Sequence, residues 1–382
     1  MIHKVWITWA VLTLALAGCV SANPASLTAT TSPTATYPAN TSATDNTVGT
    51  ATHLPVDRTV PVITTTSQPA TETRVPNSDQ FPYIDNRSSG SDLMISFVNA
   101  INRKEYVRAY SYWQNGAAQL PPYDQFAQGY ANTTSVQLTI GAVTMGVGAG
   151  QMYWAVPVVM IATTSSGATQ TYVGCYVTHL GQPANYGTPP FVHMDIQSAT
   201  VKQVANGTDT SGPLASACQS AGMAGEPLPA QPTFAPDDIS AQRYLDDLSD
   251  PVEVLRSYFN AINRREYVRA YTYWEMNAAA SQLPPYDQFA QGYQDTSSVQ
   301  LTTGQVNSEA GAGQIYFSVP VTLISRTTAG ITQNYVGCYR LHLSQPANYG
   351  APPFMPLGII SANLKQTANG SDTSSMMAQA CQ

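Results

Sequence analysis

Two groups of residues in this sequence have types and spacing that could do chemistry. The first is five cysteines. Cys19 stands alone, while Cys175 and Cys218 recur, at the same separation, as Cys338 and Cys381. No C-x-x-C spacing is present, so a metal site or a redox-active dithiol is disfavoured. In an exported chain each of the two pairs would close a disulfide, tying the C-terminal tail of its repeat to a G-C-Y strand. The second group is a short set of ionisable residues that occurs twice: Arg103 and Arg264, Glu105 and Glu266, Arg108 and Arg269, Asp124 and Asp287, His179 and His342, Lys202 and Lys365, Asp209 and Asp372. Proton-transfer catalysis needs a base within reach of its proton, with a tuned pKa. His342 is the strongest candidate base. Strand parity puts it with Cys338 and Arg340, leaving Tyr339, Leu341 and Leu343 on the apolar face. His342 is therefore expected to point away from the core. Glu266 and Arg269 have the spacing of a solvated ion pair on a short helix. Asp287 follows Pro285 at a helix start, where the dipole favours an acid. Asp195 has no acidic counterpart in the second repeat. No catalytic residue, metal ligand set or cofactor is expected. Gly148-Ala149-Gly150 and Gly311-Ala312-Gly313 read as hairpin turns, not phosphate cradles.

Duplicated aromatics form a candidate pocket. Tyr112, Trp113, Phe126, Tyr130 and Tyr153 recur as Tyr273, Trp274, Phe289, Tyr293 and Tyr316. Such residues would line a site for a flat or sugar-like ligand, or fill the core.

The elements that must position these residues are written twice. Phe97 to Arg103 recurs as Tyr258 to Arg264, and L-P-P-Y-D-Q-F-A-Q-G-Y recurs unchanged from Leu120 and from Leu283. A repeat this long is no solenoid unit. Each copy, 89–220 and 250–382, should be a complete, independently folding domain, joined by a proline-containing linker at 221–249. Asp250-Pro251-Val252-Glu253 carries the signature of a capped helix start, and Ser89 to Asp92 holds the same place in the first copy. A second helix is expected at 266–274 and a third from Pro284-Pro285. Ile315, Phe317, Val319, Val321 and Leu323 alternate with more polar neighbours, giving a strand with one buried face. Pro320 lacks an N–H, so that strand is expected to be bulged or locally at an edge. Strands at 335–343 and 359–366 follow. Helices first and strands second give an α+β fold.

Lys4 and the uncharged run Val5 to Ala17 precede Leu16-Ala17-Gly18-Cys19. The apolar run is too short to span a bilayer and suits a signal peptide. The four residues resemble the lipobox of bacterial lipoproteins. That resemblance implies a signal peptide at 1–18, lipidation of Cys19 and an extracytoplasmic protein anchored to a bacterial membrane. Assigning Cys19 to lipid leaves four cysteines to pair. Residues 19–80 are rich in Thr, Ser, Pro and Ala without helical or strand period, the composition of a disordered stalk. Charged residues make up only 10% of the chain, and the net charge is −7. A chain without a Lys/Arg surplus does not bind nucleic acid by neutralising phosphates.

The repeated F-x-N-A-I-N-R-x-E-Y-x-x-A-Y-x-Y-W, followed by F-A-Q-G-Y and by V-P-V and G-C-Y strands, resembles the nuclear transport factor 2-like superfamily. The resemblance implies two tandem cone-shaped domains, each with N-terminal helices packed on a curved antiparallel sheet. The superfamily includes isomerases, dehydratases and many non-catalytic domains, so fold alone does not assign activity. The expected function is a lipid-anchored, non-catalytic binding or interaction module. Its partners would be a cell-envelope glycan, a protein or a small apolar ligand, besides the membrane itself. The alternatives are an isomerase- or dehydratase-type enzyme using the cone, and a structural cell-envelope spacer.

Overall fold

Helix α1 (Gly90–Asn102) starts where the Ser89 side chain accepts from the Asp92 amide, and its counterpart α5 (Pro251–Asn263) where Asp250 accepts from the Val252 and Glu253 amides. Each is followed by two short helices, α2 (Tyr106–Ser111) and α3 (Tyr123–Gly129) in the first copy, and α6 (Tyr267–Thr272) and α7 (Tyr286–Gly292) in the second. The computed structural model describes residues 72–74, 81–115, 117, 119–219, 243–275, 283–368 and 371–382. Cys19, the signal peptide, nearly all of the stalk and 221–242 of the linker lie outside the described residues.

The strands follow the helices. In the first copy β1 (Glu72–Arg74), β2 (Thr133–Ile140), β4 (Gln151–Thr164), β5 (Thr169–Gly181) and β6 (Asp195–Val204) are neighbours in that order, and β3 (Thr144–Gly148) pairs with β4. In the second copy the order is β11 (Gly358–Thr367), β10 (Thr332–Ser344), β9 (Gln314–Thr327), β7 (Thr296–Thr303), with β8 (Asn307–Gly311) on β9. All pairings are antiparallel. The chain is α+β, with two sheet-centred units in tandem. Ala149 and Gly150 at positive φ make the tight turn between β3 and β4, and Ala312 and Gly313 repeat it.

Pro320 is not on a bulge, but it is locally at an edge of the ladder. It sits where β9 changes partner, after the β8 pairing ends at Ser318 and before the β7 pairing starts at Val321. Its carbonyl still accepts from Gly304 N at 2.7 Å, so the absent N–H costs no ladder bond at that junction. Short helices α4 (Ser211–Ser216) and α8 (Thr373–Gln379) end the copies and pack against the strands. Disulfides Cys175–Cys218 and Cys338–Cys381 hold these tails down. Replacing Cys338 and Cys381 together by serine is expected to lower stability by about 2–4 kcal/mol. Chemical denaturation of the variant beside the parent measures the loss, and an unchanged midpoint would remove the disulfide from the stability account.

The two copies meet along a buried seam and belong to one compact unit, Thr65–Gln382. The extended segments ahead of α1 and α5 run antiparallel and bridge at Asn86 and Asp247. Arg87 N donates to Asp246 O and Leu248 N to Asp85 O, both at 2.7 Å. Ser249 Oγ accepts from Asp85 N, and Ser88 Oγ from Asp246 N. Each segment is clamped to its own helices by a fully buried arginine. The Arg108 guanidinium donates to Ile84 O, Asn99 Oδ1, Glu105 Oε2 and Tyr112 OH, and lies 4.6 Å over the Tyr83 ring. Arg269 repeats the pattern on Leu245 O, Asn260 Oδ1, Glu266 Oε2, Tyr273 OH and the Tyr244 ring. The Glu266–Arg269 pair is thus not solvated. Both residues are buried, because residues 243–249 lie over a helix face that spacing alone reads as exposed.

The seam also fills apolar space. Val268 packs into the core of the first copy, and Val107 into that of the second. Each seam carboxylate has a basic side chain in direct contact. Burial raises the Asp85 pKa, but Arg87 at 2.9 Å more than offsets this and holds it below the usual carboxylate value. Asp246 accepts from His193 Nδ1 at 2.8 Å, from Tyr244 OH and from Tyr273 OH. Burial opposes its ionisation too, yet His193, Arg269 and Tyr273 together hold it well below 3.8. The counterparts of Arg87 and His193 are Leu248 and Pro356, so the two seam carboxylates take their basic partner from different positions.

Candidate functional site

Three histidines lie in the described residues, and each contacts a carboxylate. His193 belongs to the seam. His179 and His342 occupy equivalent places on the two sheets. As strand parity requires, Tyr339, Leu341 and Leu343 are buried on the opposite face from His342. That face is not simply solvent, however. The ladder sets Tyr316 directly across from His342, and Tyr153 across from His179. The ring centroids are 4.8 Å and 5.0 Å apart. His342 Nε2 lies 2.5 Å from Gln314 Oε1, and His179 Nε2 2.6 Å from Gln151 Oε1. An amide oxygen only accepts, so Nε2 carries the proton in both copies. Nδ1 then faces an acid.

The acid comes from a different element in each copy. In the first, β6 supplies Asp195, with Oδ1 3.4 Å from His179 Nδ1. In the second, Gly358 takes the place of Asp195, and Glu275, counterpart of Gln114, reaches in from the chain after α6. Its Oε1 lies 2.6 Å from His342 Nδ1. The glycine is required: a Cβ on Gly358 would come within 2.8 Å of Glu275 Cγ. One acid therefore fills the space that the other vacates. A comparison of the copies position by position sees a lost Asp and, elsewhere, a gained Glu. The signal that these compensate is present in the sequence, but only the fold places positions 275 and 358 side by side.

Burial pushes Asp195 up to about 7, against the opposing charge of Arg87, and lowers His179. Burial also raises Glu275, against the opposing effect of His342. A proton on the acid would donate to Nδ1 and complete a Gln–His–acid chain that carries no net charge. Asp195 Oδ1 and His179 Nδ1 are both buried and otherwise without partners, which leaves this proton as their means of satisfaction. The sign of the pH effect follows. A carboxyl whose folded pKa exceeds its unfolded value stabilises the fold while protonated, and that stabilisation is lost as pH rises through the folded pKa. Stability is expected to decline from about pH 4 to about pH 7 through Asp195, partly offset by the lowered His179, which favours the fold increasingly as pH rises toward its ordinary value of 6.5. Asp195→Asn should flatten the decline in pH-resolved denaturation; an unaltered profile would place the titration elsewhere.

The aromatic candidates divide among three places. Tyr112 and Tyr273 are at the seam, bonded to Arg108 and Arg269. Trp113, Phe126 and Tyr130 pack inside the first copy, where Phe97, Trp113 and Tyr176 form a cluster with centroids 6.1–6.3 Å apart. Trp274, Phe289 and Tyr293 pack likewise in the second, where the Tyr258 and Tyr293 hydroxyls meet at 2.8 Å. Tyr153 and Tyr316 alone belong to the His–acid clusters. The ten residues do not line one pocket. Among the described residues no group of three or more His, Cys, Asp or Glu could hold a metal ion, and no helix is long and apolar enough to cross a membrane.

Comparison of the chain with protein-family models, with curated proteins and with solved structures finds no match. The two disulfides are consistent with an extracytoplasmic location.

Proposed function

We propose that this chain is a lipid-anchored extracytoplasmic binding module. Its two copies, of nuclear transport factor 2-like type, form one head and contact their ligand through the Tyr–His–acid–Gln clusters. The observation that carries the reading is the duplicated cluster with its relocated acid. Two copies that exchange Asp195 for Gly358, and Gln114 for Glu275, nonetheless keep a carboxylate against the same histidine. Tyr316 is 37% exposed and offers a ring face beside hydrogen-bonding groups. Ring faces flanked by planar polar groups suit hydroxyl-rich ligands such as envelope glycans, and two linked modest sites gain avidity. A non-catalytic role is supported by the pinned acids of the interior, Glu105 and Glu266 under arginines, and by the aromatic filling of the helix-covered sheet face. That filling equally favours the spacer reading, in which neither cluster binds anything.

The repeated sequence motifs carry the superfamily resemblance, and the L-A-G-C sequence at Cys19 supports the anchor. Thermal-shift screening against envelope glycans, peptidoglycan fragments and small apolar metabolites tests the binding. A hit weakened in Tyr316→Ala and Tyr153→Ala supports it. No hit in any class favours the spacer, and turnover lost in Glu275→Gln or Asp195→Asn favours the enzyme. Cys19→Ser is expected to release the protein from membranes; retention through a high-salt wash would refute the lipid anchor.

A further inference from the structure

The two sheets differ at one edge. In the first copy β1 covers the outer side of β2, with Glu72 opposite Ile140, Thr73 opposite Thr139 and Arg74 opposite Leu138. In the second copy β7 ends the sheet, and among the described residues nothing pairs with its outer side. The backbone geometry of that edge is the same in both. Asn102 bonds both N and O of Val136, and Asn263 bonds both N and O of Val299. Backbone groups two residues apart point the same way. Leu301 and Thr303 therefore present their N–H and C=O outward, as Leu138 and Ile140 do toward β1. A cleft of about 780 Å³ borders this edge, lined by Tyr244, Phe259, Asn263, Gln300 and Leu301, among others. The strands at the far side of each sheet, β6 and β11, carry exposed Lys202 and Lys365, and lysine on an edge strand discourages pairing with another chain. β7 carries no charge from Thr296 to Thr303.

We propose that β7 pairs with β7 of a second molecule of this chain, antiparallel, about a two-fold axis at Thr302. In that register Leu301 stands opposite Thr303 of the second molecule, and Thr302 opposite Thr302. The two Leu301–Thr303 pairs exchange their outward N–H and C=O groups, and the central threonines form the non-hydrogen-bonded pair between them. Leu301 to Thr303 are the counterparts of Leu138 to Ile140, the three residues that β1 pairs in the first copy. An edge of this geometry therefore accepts a strand of this length. The absence of charge is what points to a second molecule. A two-fold axis sets β7 against β7, so any charge on it would meet its own kind, whereas Thr opposite Thr is a favourable cross-strand pair. Both molecules use the same patch, so the pairing closes at two and leaves neither β7 edge open. Three paired residues a side make a small contact beside the roughly 1,200 Å² of a stable interface, so the dimer is weak and is best detected by trapping it.

The test uses the full chain with Thr302→Cys. Cys19→Ser is added so that the introduced thiol is the only free one, the other four cysteines being paired. A non-hydrogen-bonded pair brings its Cα atoms close enough for a disulfide, and Thr302 is exposed. Mild oxidation should give a dimer whose peptide map shows residue 302 joined to residue 302. Ser297→Cys is the control, exposed on the same strand, but five residues from the axis and so about 33 Å from its mate in the proposed register. It should crosslink at least about tenfold more slowly. A folded Thr302→Cys chain that stays monomeric, or that crosslinks no faster than Ser297→Cys, overturns the proposal. Hydrogen exchange on the chain with only Cys19→Ser separates the remaining occupant. Leu301 and Thr303 amides should gain protection as protein concentration rises. Full protection already present in the dilute monomer would assign the edge to another segment of the same chain and overturn the pairing between molecules.

Discussion

Arg269→Ala is expected to be the most damaging single substitution at the seam, costing about 3–5 kcal/mol in denaturant unfolding. Four acceptors lose their donor at once: Leu245 O, Asn260 Oδ1, Glu266 Oε2 and Tyr273 OH. The guanidinium is fully buried, so the groups that lose it bear a desolvation cost, eased at Asn260 Oδ1, which keeps Leu245 N, and at Tyr273 OH, which keeps Asp246. Glu266 keeps Arg264 at 2.8 Å, which prevents a bare buried carboxylate and holds the loss within that range. Arg269→Lys should not rescue. One ammonium cannot reach a carbonyl, an amide and a carboxylate in the directions that the planar fork reaches. A loss below about 1 kcal/mol would show that the segment ahead of α5 is not held by this residue.

The second large effect concerns cutting the chain. Residues 89–220 or 250–382 expressed alone are expected to lack a cooperative near-ultraviolet melt. Those boundaries follow the repeat, but they remove 81–88 and 243–249, which the buried arginines require. Extended pieces, 81–219 and 243–382, regain the clamp and should fold with lower stability than the whole. Each still exposes the apolar seam, and Asp246 is parted from His193. Mixing the extended pieces should restore a sharp transition through a one-to-one complex, visible by light scattering. Equal melting of 250–382 and of the intact chain would show that the copies are separate domains, as the repeat by itself implies.

The contrast between these boundaries shows what could be read from the sequence. Local features were legible because their physics is local. Asp250 caps its helix because an acid ahead of Pro251 accepts the first free amides. Leu341 and Leu343 share a face opposite His342 because a strand alternates. The cysteines pair within each copy, as the repeat of their spacing suggests. The α+β order needed only the passage from helical to alternating period.

The sequence by itself determined the duplication, the elements, their caps and their apolar faces. The tertiary structure alone decided what lies over those faces. Glu266 and Arg269 have the spacing of a surface pair, and they are buried only because a segment about twenty residues upstream is laid across them. Asp246 and His193 become partners across the seam, and Glu275 takes the place of Asp195 because β11 runs beside the chain after α6. Period and capping depend on neighbours within one turn or one strand, whereas burial and the pairing of charges depend on which distant segments share a volume. That is set by how the two copies close on each other.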